Sequence, residues 1–208
     1  MRTALLLTAL TACTAPEAAH APAGPPEPPP ASAATPDRTC ALVRTPFLDD
    51  DRRSYAVFKG RLRSGFGDYR GSYVEGHKHA GVDLETTFAE PVHPICTGRV
   101  VDIHLGSPHR TIVLGHVTPE GERFWSSYKH VEDIQVARGD WVDPDTPLAR
   151  VFDDAEQKAA PWALNHLHFE MRRSVADNGA ASWTSMTMEE LERYAFDPDA
   201  FFEARLEP

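Results

Sequence analysis

The feature that most constrains the fold is a series of short runs, rich in apolar and β-branched residues, between positions 54 and 171. These runs are YAVFKGRL (55–62), GVDLETTF (81–88), GRVVDIHL (98–105), RTIVLGHV (110–117), RFWSSYKHV (123–131), PLARVF (147–152) and NHLHFEM (165–171). The segments between them are typical of turns and include SGFGDYRGS, GSPH, TPEGE and ARGDWVDPDT. Short strands at this spacing, with no helical segment between them, predict an all-β architecture with an antiparallel sheet or sandwich core.

One helix is expected near the C-terminal end of the chain. Thr187 and Glu190 have the spacing of a capping box and precede the run LERYAF. Asp197-Pro198 should end this helix, since proline cannot continue it. The prediction is therefore an all-β domain with one short C-terminal helix.

The N-terminal residues have the layout of an export signal. Arg2 precedes a short apolar run that is too short to span a bilayer. The segment 10–13, LTAC, resembles a bacterial lipobox, which implies a signal peptide over residues 1–12 and lipidation of Cys13. The alternative is a signal peptide that is cleaved nearby without lipidation. We expect an exported protein held at a membrane through its lipid alone, in the outer membrane and facing the periplasm if the source is Gram-negative, otherwise at the cell surface.

The next segment has the composition of a tether. Residues 13–36 consist largely of alanine and proline, which favour an extended, partly polyproline II chain. Residues 37–208 are then expected to form one domain with its core at about 55–175. The formal net charge is −10, and no basic stripe is present, which argues against nucleic acid as a partner. We expect a monomer.

The chain has three cysteines, an odd number for an exported protein. If Cys13 carries lipid, Cys40 and Cys96 remain as a pair that an oxidising compartment would join in a disulfide. Two separate buried thiols are the alternative.

Four of the ten histidines lie in patterns that suggest chemistry. His79 and Asp83 are four residues apart in HKHAGVD, and in extended structure that even spacing places both side chains on one face. His166 and His168 share a face of a strand for the same reason. His130 ends an aromatic strand. Imidazoles and a carboxylate on one face are plausible ligands for zinc, although each pattern alone is common in proteins without a metal.

Together, these motifs resemble the M23 peptidase family of lysostaphin-like zinc endopeptidases, through residues 63 to 171. The resemblance rests on SGFGDYR, HKHAGVDL, PVHPICTGRVVDI, TIVLGHV, YKHV, VARGDWV and HLHFE, with FDPDAFF near the end. It implies one zinc ion held by His79, Asp83 and His168, with His130 and His166 as catalytic histidines. It also implies hydrolysis of amide bonds in peptidoglycan stem peptides or cross-bridges. Which histidine is the general base stays open.

The sequence departs from the family pattern before HLH, where the segment 149–165, ARVFDDAEQKAAPWALN, has no glycine. This change is expected to affect substrate contacts more than zinc binding. Trp125 and Trp162 could line a substrate groove or simply pack. Asp68 or another entry-loop residue could supply a fourth ligand that blocks the zinc in a latent form.

Three other functions compete with a cell-wall endopeptidase. The D-Ala-D-Ala carboxypeptidase and dipeptidase group uses similar ligands, but with a longer first spacing and a different ending, Glu-x-x-Trp-His, so the spacing in this sequence favours the lysostaphin-like family. A non-catalytic module of the same fold could bind cell wall or activate a peptidoglycan amidase. A peptidase with a protein substrate is a third possibility.

Overall fold

Eleven strands and four short helices make up the secondary structure of the part of the chain that this computed structural model describes, residues 38–71, 74–160, 164–175 and 184–208. In chain order they are α1 Tyr55–Gly60, β1 Leu62–Ser64, β2 Val82–Glu85, β3 Pro91–Val92, β4 Gly98–His104, β5 Thr111–Val117, β6 Arg123–Lys129, β7 Val131–Glu132, β8 Trp141–Val142, β9 Ala149–Val151, α2 Asp154–Ala159, β10 His166–Arg172, α3 Met188–Tyr194, β11 Ala195–Phe196 and α4 Pro198–Glu203.

The main sheet has eight strands, all paired antiparallel. Its order is β1-β2-β10-β6-β5-β4-β8, and β11 pairs with the end of β10. A second, three-stranded sheet has the order β3-β9-β7. The predicted antiparallel, all-β fold is confirmed.

The register of β10 decides what lies beside its histidines. His168 is opposite Asp83 of β2 on one side and Lys129 of β6 on the other. Because β6 ends at Lys129, the next residue, His130, follows at the same end of the sheet. One end of this three-strand unit therefore collects residues from three distant parts of the sequence.

The core lies on the opposite face of β10. Leu167, Phe169 and Met171 are fully buried there. Phe169 and Tyr128 of β6 pack edge to face, with ring centroids 5.2 Å apart. Alternation along β10 therefore directs the apolar residues to the core and His168 to the other face.

The ends of the domain also belong to this core. Phe58 of α1 and Phe202 of α4 pack against each other with ring centroids 4.2 Å apart. Cys40 and Cys96 form a disulfide, which connects the start of the domain to the segment before β4. The core cluster therefore extends beyond residues 55–175 in both directions.

Helix α3 agrees with the predicted C-terminal helix, and Thr187 and Glu190 form the expected capping box. Three further short helices were not predicted. The run YAVFKGRL was expected to be a strand, but its first six residues form α1, whose N-terminus Ser54 caps. Asp197-Pro198 does follow α3, and it also starts α4, with the Asp197 side chain as the N-cap.

Several predictions concern residues outside the described ranges. These are the signal peptide (1–12), Cys13 with the tether (13–36), and Trp162. Within the described residues, no helix has both the length and the apolar character needed to cross a membrane.

Candidate active site

Three side chains from two distant parts of the sequence converge where β2 pairs with β10. His79 Nε2 lies 2.9 Å from His168 Nδ1, and Asp83 Oδ1 lies 3.1 Å from His168 Nδ1 and 3.2 Å from His79 Nε2. Both histidines are buried, and Asp83 is partly buried. The pairing of β2 with β10 brings Asp83 and His168 together, while the segment before β2 adds His79.

This donor set fits a zinc ion. Two imidazole nitrogens and one carboxylate oxygen are ordinary zinc ligands, and their separations suit bonds of about 2.0–2.2 Å to a common ion. Three protein ligands leave a fourth position for water or substrate, which is the pattern of catalytic zinc sites. His79, Asp83 and His168, the ligands that the sequence motifs predicted, therefore form a candidate metal centre.

Each candidate ligand is oriented by a second partner. His79 Nδ1 lies 2.8 Å from the carbonyl oxygen of Gly65, so this nitrogen donates and Nε2 faces the centre. Asp83 Oδ2 accepts a hydrogen bond of 2.5 Å from Arg70, which leaves Oδ1 for the centre. His168 Nε2 lies 2.8 Å from Glu170 Oε1. Such partners fix which ligand atom faces a metal.

These contacts shift the pKa values of the ligands. Burial opposes ionisation of Asp83, but hydrogen bonds from His168 and His79 outweigh it, and the pKa of Asp83 lies well below its ordinary value. Burial also opposes protonation of His168, but Asp83 and Glu170 raise its pKa. Metal binding at Nδ1 therefore competes with protonation of His168.

Arg70 is a site residue that the motif interpretation missed. Its guanidinium contacts Asp83 Oδ2, lies 2.6 Å from Ser64 Oγ, and rests 3.1 Å from His79 Nδ1. It stands in the entry-loop motif SGFGDYR, but the sequence gives no sign that its side chain turns toward Asp83.

His130 lies beside the candidate centre in a strained conformation. Its φ is 66°, in the left-handed region that non-glycine residues seldom adopt. Its Nδ1 donates to the carbonyl oxygen of Pro108 at 2.9 Å, which leaves Nε2 as the acceptor when the ring is neutral. Burial lowers the pKa of His130 well below the usual histidine value.

His166 lies close to both His130 and Asp83. Its ring centroid is 5.1 Å from that of His130, and its Nε2 is 3.6 Å from Asp83 Oδ1. Burial lowers the pKa of His166 to about 4, although the Asp83 carboxylate acts in the opposite direction. Two neutral imidazoles, each able to accept a proton, therefore stand next to the candidate metal centre.

Two other predicted site residues lie elsewhere. The Asp68 carboxylate accepts hydrogen bonds from the Gly65 amide and the Ser64 hydroxyl, so it stabilises the entry turn rather than joining the ligand cluster. Trp125 is half-buried near the start of β6, opposite Arg172 and at the far end of the strand from Lys129.

Beneath His168 lies a buried ion pair that the sequence interpretation also missed. Glu170 Oε2 accepts from Arg172 Nε at 2.7 Å, and Arg172 Nη2 lies 3.3 Å from Ser127 Oγ. Burial opposes ionisation of Glu170, but the charge of Arg172 and the contact with His168 together outweigh it, and the pKa of Glu170 stays well below its ordinary value. In the sequence, the ion pair was visible only as two charged residues, Glu170 and Arg172, that continue the alternating pattern of HLHFEMR.

Comparison with solved structures gives several similar folds. The lysostaphin solution structure is 21% identical over 69% of this chain and 50% of its own, with a TM-score of 0.48. A structure of LytU is 22% identical over 69% of this chain and 85% of its own, with a TM-score of 0.49. A zinc-containing peptidase from Vibrio cholerae is 23% identical over 63% of this chain and 36% of its own, with a TM-score of 0.45. The chain thus spans about half of the lysostaphin structure.

No curated protein is significantly similar to the chain in sequence. The model of the family described as peptidase family M23 does match, over residues 77–182. This range includes all five predicted metal and catalytic residues and slightly more than half of the 208 positions. The chain therefore belongs to peptidase family M23.

Proposed function

We propose that this domain is a zinc-dependent endopeptidase that hydrolyses amide bonds in the peptide cross-links of bacterial peptidoglycan. The observation that carries the proposal is the convergence of His79, Asp83 and His168 on one point, with His130 and His166 beside it. A bound zinc ion would supply Lewis acidity and lower the pKa of water to about 7.

The protein's own residues would move the protons. His130 is held by its bond to Pro108 with Nε2 free to accept, and His166 lies close enough to share the same substrate region. One of these neutral rings would take a proton from the attacking water, and an imidazolium formed in this way could give it to the leaving amine. Either histidine can fill either role in this geometry.

We also propose that the domain works outside the cytoplasm, tethered by a lipid on Cys13. The disulfide between Cys40 and Cys96 supports this, because such bonds persist in oxidising compartments. Labelling of producing cells with a fatty-acid analogue should mark the wild-type chain and leave Cys13→Ala unmarked. Equal labelling of both chains would refute the anchor.

A digest of purified peptidoglycan tests the enzymatic proposal. The full chain carrying Cys13→Ala would be incubated with sacculi, and the released fragments would be identified by mass spectrometry. We expect fragments with new amino and carboxyl ends in the peptide moiety, lost on chelation and regained with zinc. The His168→Ala variant is the control, and release by this variant equal to that of the parent would contradict the proposal.

The same digest addresses the alternative of a non-catalytic module. All five residues of the predicted site are present and adjacent, so no observation favours that alternative here. A folded, zinc-loaded protein that binds sacculi without releasing fragments would favour it instead.

A further inference from the structure

His168 differs from the other candidate ligands because its outer partner is an ionised, buried side chain. Glu170 Oε1 lies 2.8 Å from His168 Nε2, and only 1% of the Glu170 side chain is exposed. The two residues share a face of β10, since they are two positions apart on one strand. An ionised carboxylate can only accept, so the proton of this hydrogen bond belongs to Nε2.

Arg172 holds Glu170 in place from the other side. Its Nε donates to Glu170 Oε2 at 2.7 Å, and the Arg172 side chain is fully buried. The face of β10 away from the core therefore carries a continuous line from His168 through Glu170 to Arg172. A buried ion pair is often no more stable than packed apolar residues of similar size, so its presence is weak evidence for a purely stabilising role.

We propose that Glu170, oriented by Arg172, is a positioning residue that selects the His168 tautomer and thereby presents Nδ1 to the zinc. This inference rests on the proposed function, because it assumes that zinc binds at His168. Outer carboxylates that accept from a ligand histidine fix the ring and raise its basicity, and their loss typically weakens metal affinity 10–100-fold.

The variant Glu170→Gln tests whether Glu170 selects the His168 tautomer. Arg172 Nε can only donate, so the glutamine should direct its amide oxygen to Arg172 and its NH₂ group to His168 Nε2. That contact would favour a proton on Nδ1, the nitrogen that the metal needs. We therefore expect zinc affinity, measured by competition with a chelating dye, to fall roughly 10–100-fold.

A second substitution should reverse the effect. In Glu170→Gln/Arg172→Met no guanidinium competes for the amide oxygen, so glutamine can again accept from His168 Nε2. We expect this double variant to bind zinc more tightly than the single variant, a rescue that a merely structural role of Glu170 would not produce. The control is Arg52→Met, which removes a buried arginine that bonds to the carbonyls of Thr45, Pro94 and Pro144, and which should leave zinc affinity unchanged.

Nitrogen-15 NMR of the zinc-loaded, otherwise unmodified protein gives a readout that does not depend on the variants' folding. His168 should bind through Nδ1 and carry a proton on Nε2. Two results would overturn the positioning role alone. One is ligation of zinc through Nε2, and the other is a zinc affinity of Glu170→Gln within about twofold of the parent, instead of the 10–100-fold loss expected. A parent chain that binds no zinc would instead overturn the proposed function, and this inference with it.

Discussion

Loss of the disulfide should lower the free energy of unfolding by about 4 kcal/mol. Cys40 and Cys96 are separated by 56 positions, and closing a loop of this length removes about 14 cal/mol/K of entropy from the unfolded chain, or about 4 kcal/mol at 25 °C. The folded state should change little, because backbone hydrogen bonds from Cys40 to Val117 and from Arg44 to Ile95 hold the same segment independently.

Guanidinium denaturation of the Cys13→Ala chain, with and without Cys40→Ala/Cys96→Ala, measures this effect. The double variant should unfold at lower denaturant and with a larger m-value, because its unfolded state is less constrained and exposes more surface. Reductant should destabilise the disulfide-containing chain and leave the double variant unchanged. A loss below about 1 kcal/mol would show that loop closure does not control stability here.

Three further predictions concern the site and the core. His168→Ala should lose zinc, whereas His166→Ala should keep zinc and lose hydrolysis; equal metal loss, by elemental analysis, would contradict these roles. Lowering the pH from 6.5 to 4 should cost roughly 3 kcal/mol through His116, because burial lowers its pKa to about 4 and only the unfolded chain then binds the proton readily. The free energy of unfolding of His116→Gln should depend on pH less strongly by that amount, and an unchanged pH dependence would refute the role given to His116. Gly81→Ala should destabilise by about 2 kcal/mol or more and weaken zinc binding, since its Cβ would overlap a backbone oxygen of β10. Gly60→Ala, which meets nothing within 4 Å, is its control, and equal effects on stability and zinc binding would contradict the steric argument.

The strands of the main sheet were predictable because each buries an apolar face. The runs at 98–105, 110–117 and 165–171 closely match β4, β5 and β10. The helices were harder to predict because they are short and depend on tertiary contacts. Helix α1 packs Phe58 against Phe202, a contact that the local pattern of YAVFKGRL cannot reveal.

Helix α2 is a different case, because its signal was present in the sequence. Asp153 and Glu156 form the same kind of capping box that predicted α3, in the glycine-free segment before HLH. The Gln157 side chain of α2 accepts from the Leu164 amide two residues before β10 begins. Within the described residues, the segment that departs from the family pattern therefore contains a short, capped helix between β9 and the strand bearing His166.

For the site, the motifs predicted which residues converge but not how each is oriented. His79, Asp83 and His168 were assigned by resemblance, and the register of β10 brings them together. The ring nitrogen that faces the centre depends on partners such as the Gly65 carbonyl and Arg70. No spacing rule reveals these contacts, because they depend on how a loop folds back over the sheet.

The alternation in HLHFEMR fits both a strand with one exposed face and a strand buried on both faces, and periodicity alone cannot distinguish the two. An alternating strand usually exposes its polar face to water, yet the polar face of β10, with His168, Glu170 and Arg172, is buried. Burying charged groups is costly unless they are paired, and here each has a partner within hydrogen-bond distance. A strand that is buried on both faces and still carries an imidazole, a carboxylate and a guanidinium must satisfy these groups through one another. That requirement fixes the direction of His168, and it explains why the residues beyond the HLH motif matter to the site as much as the histidines within it.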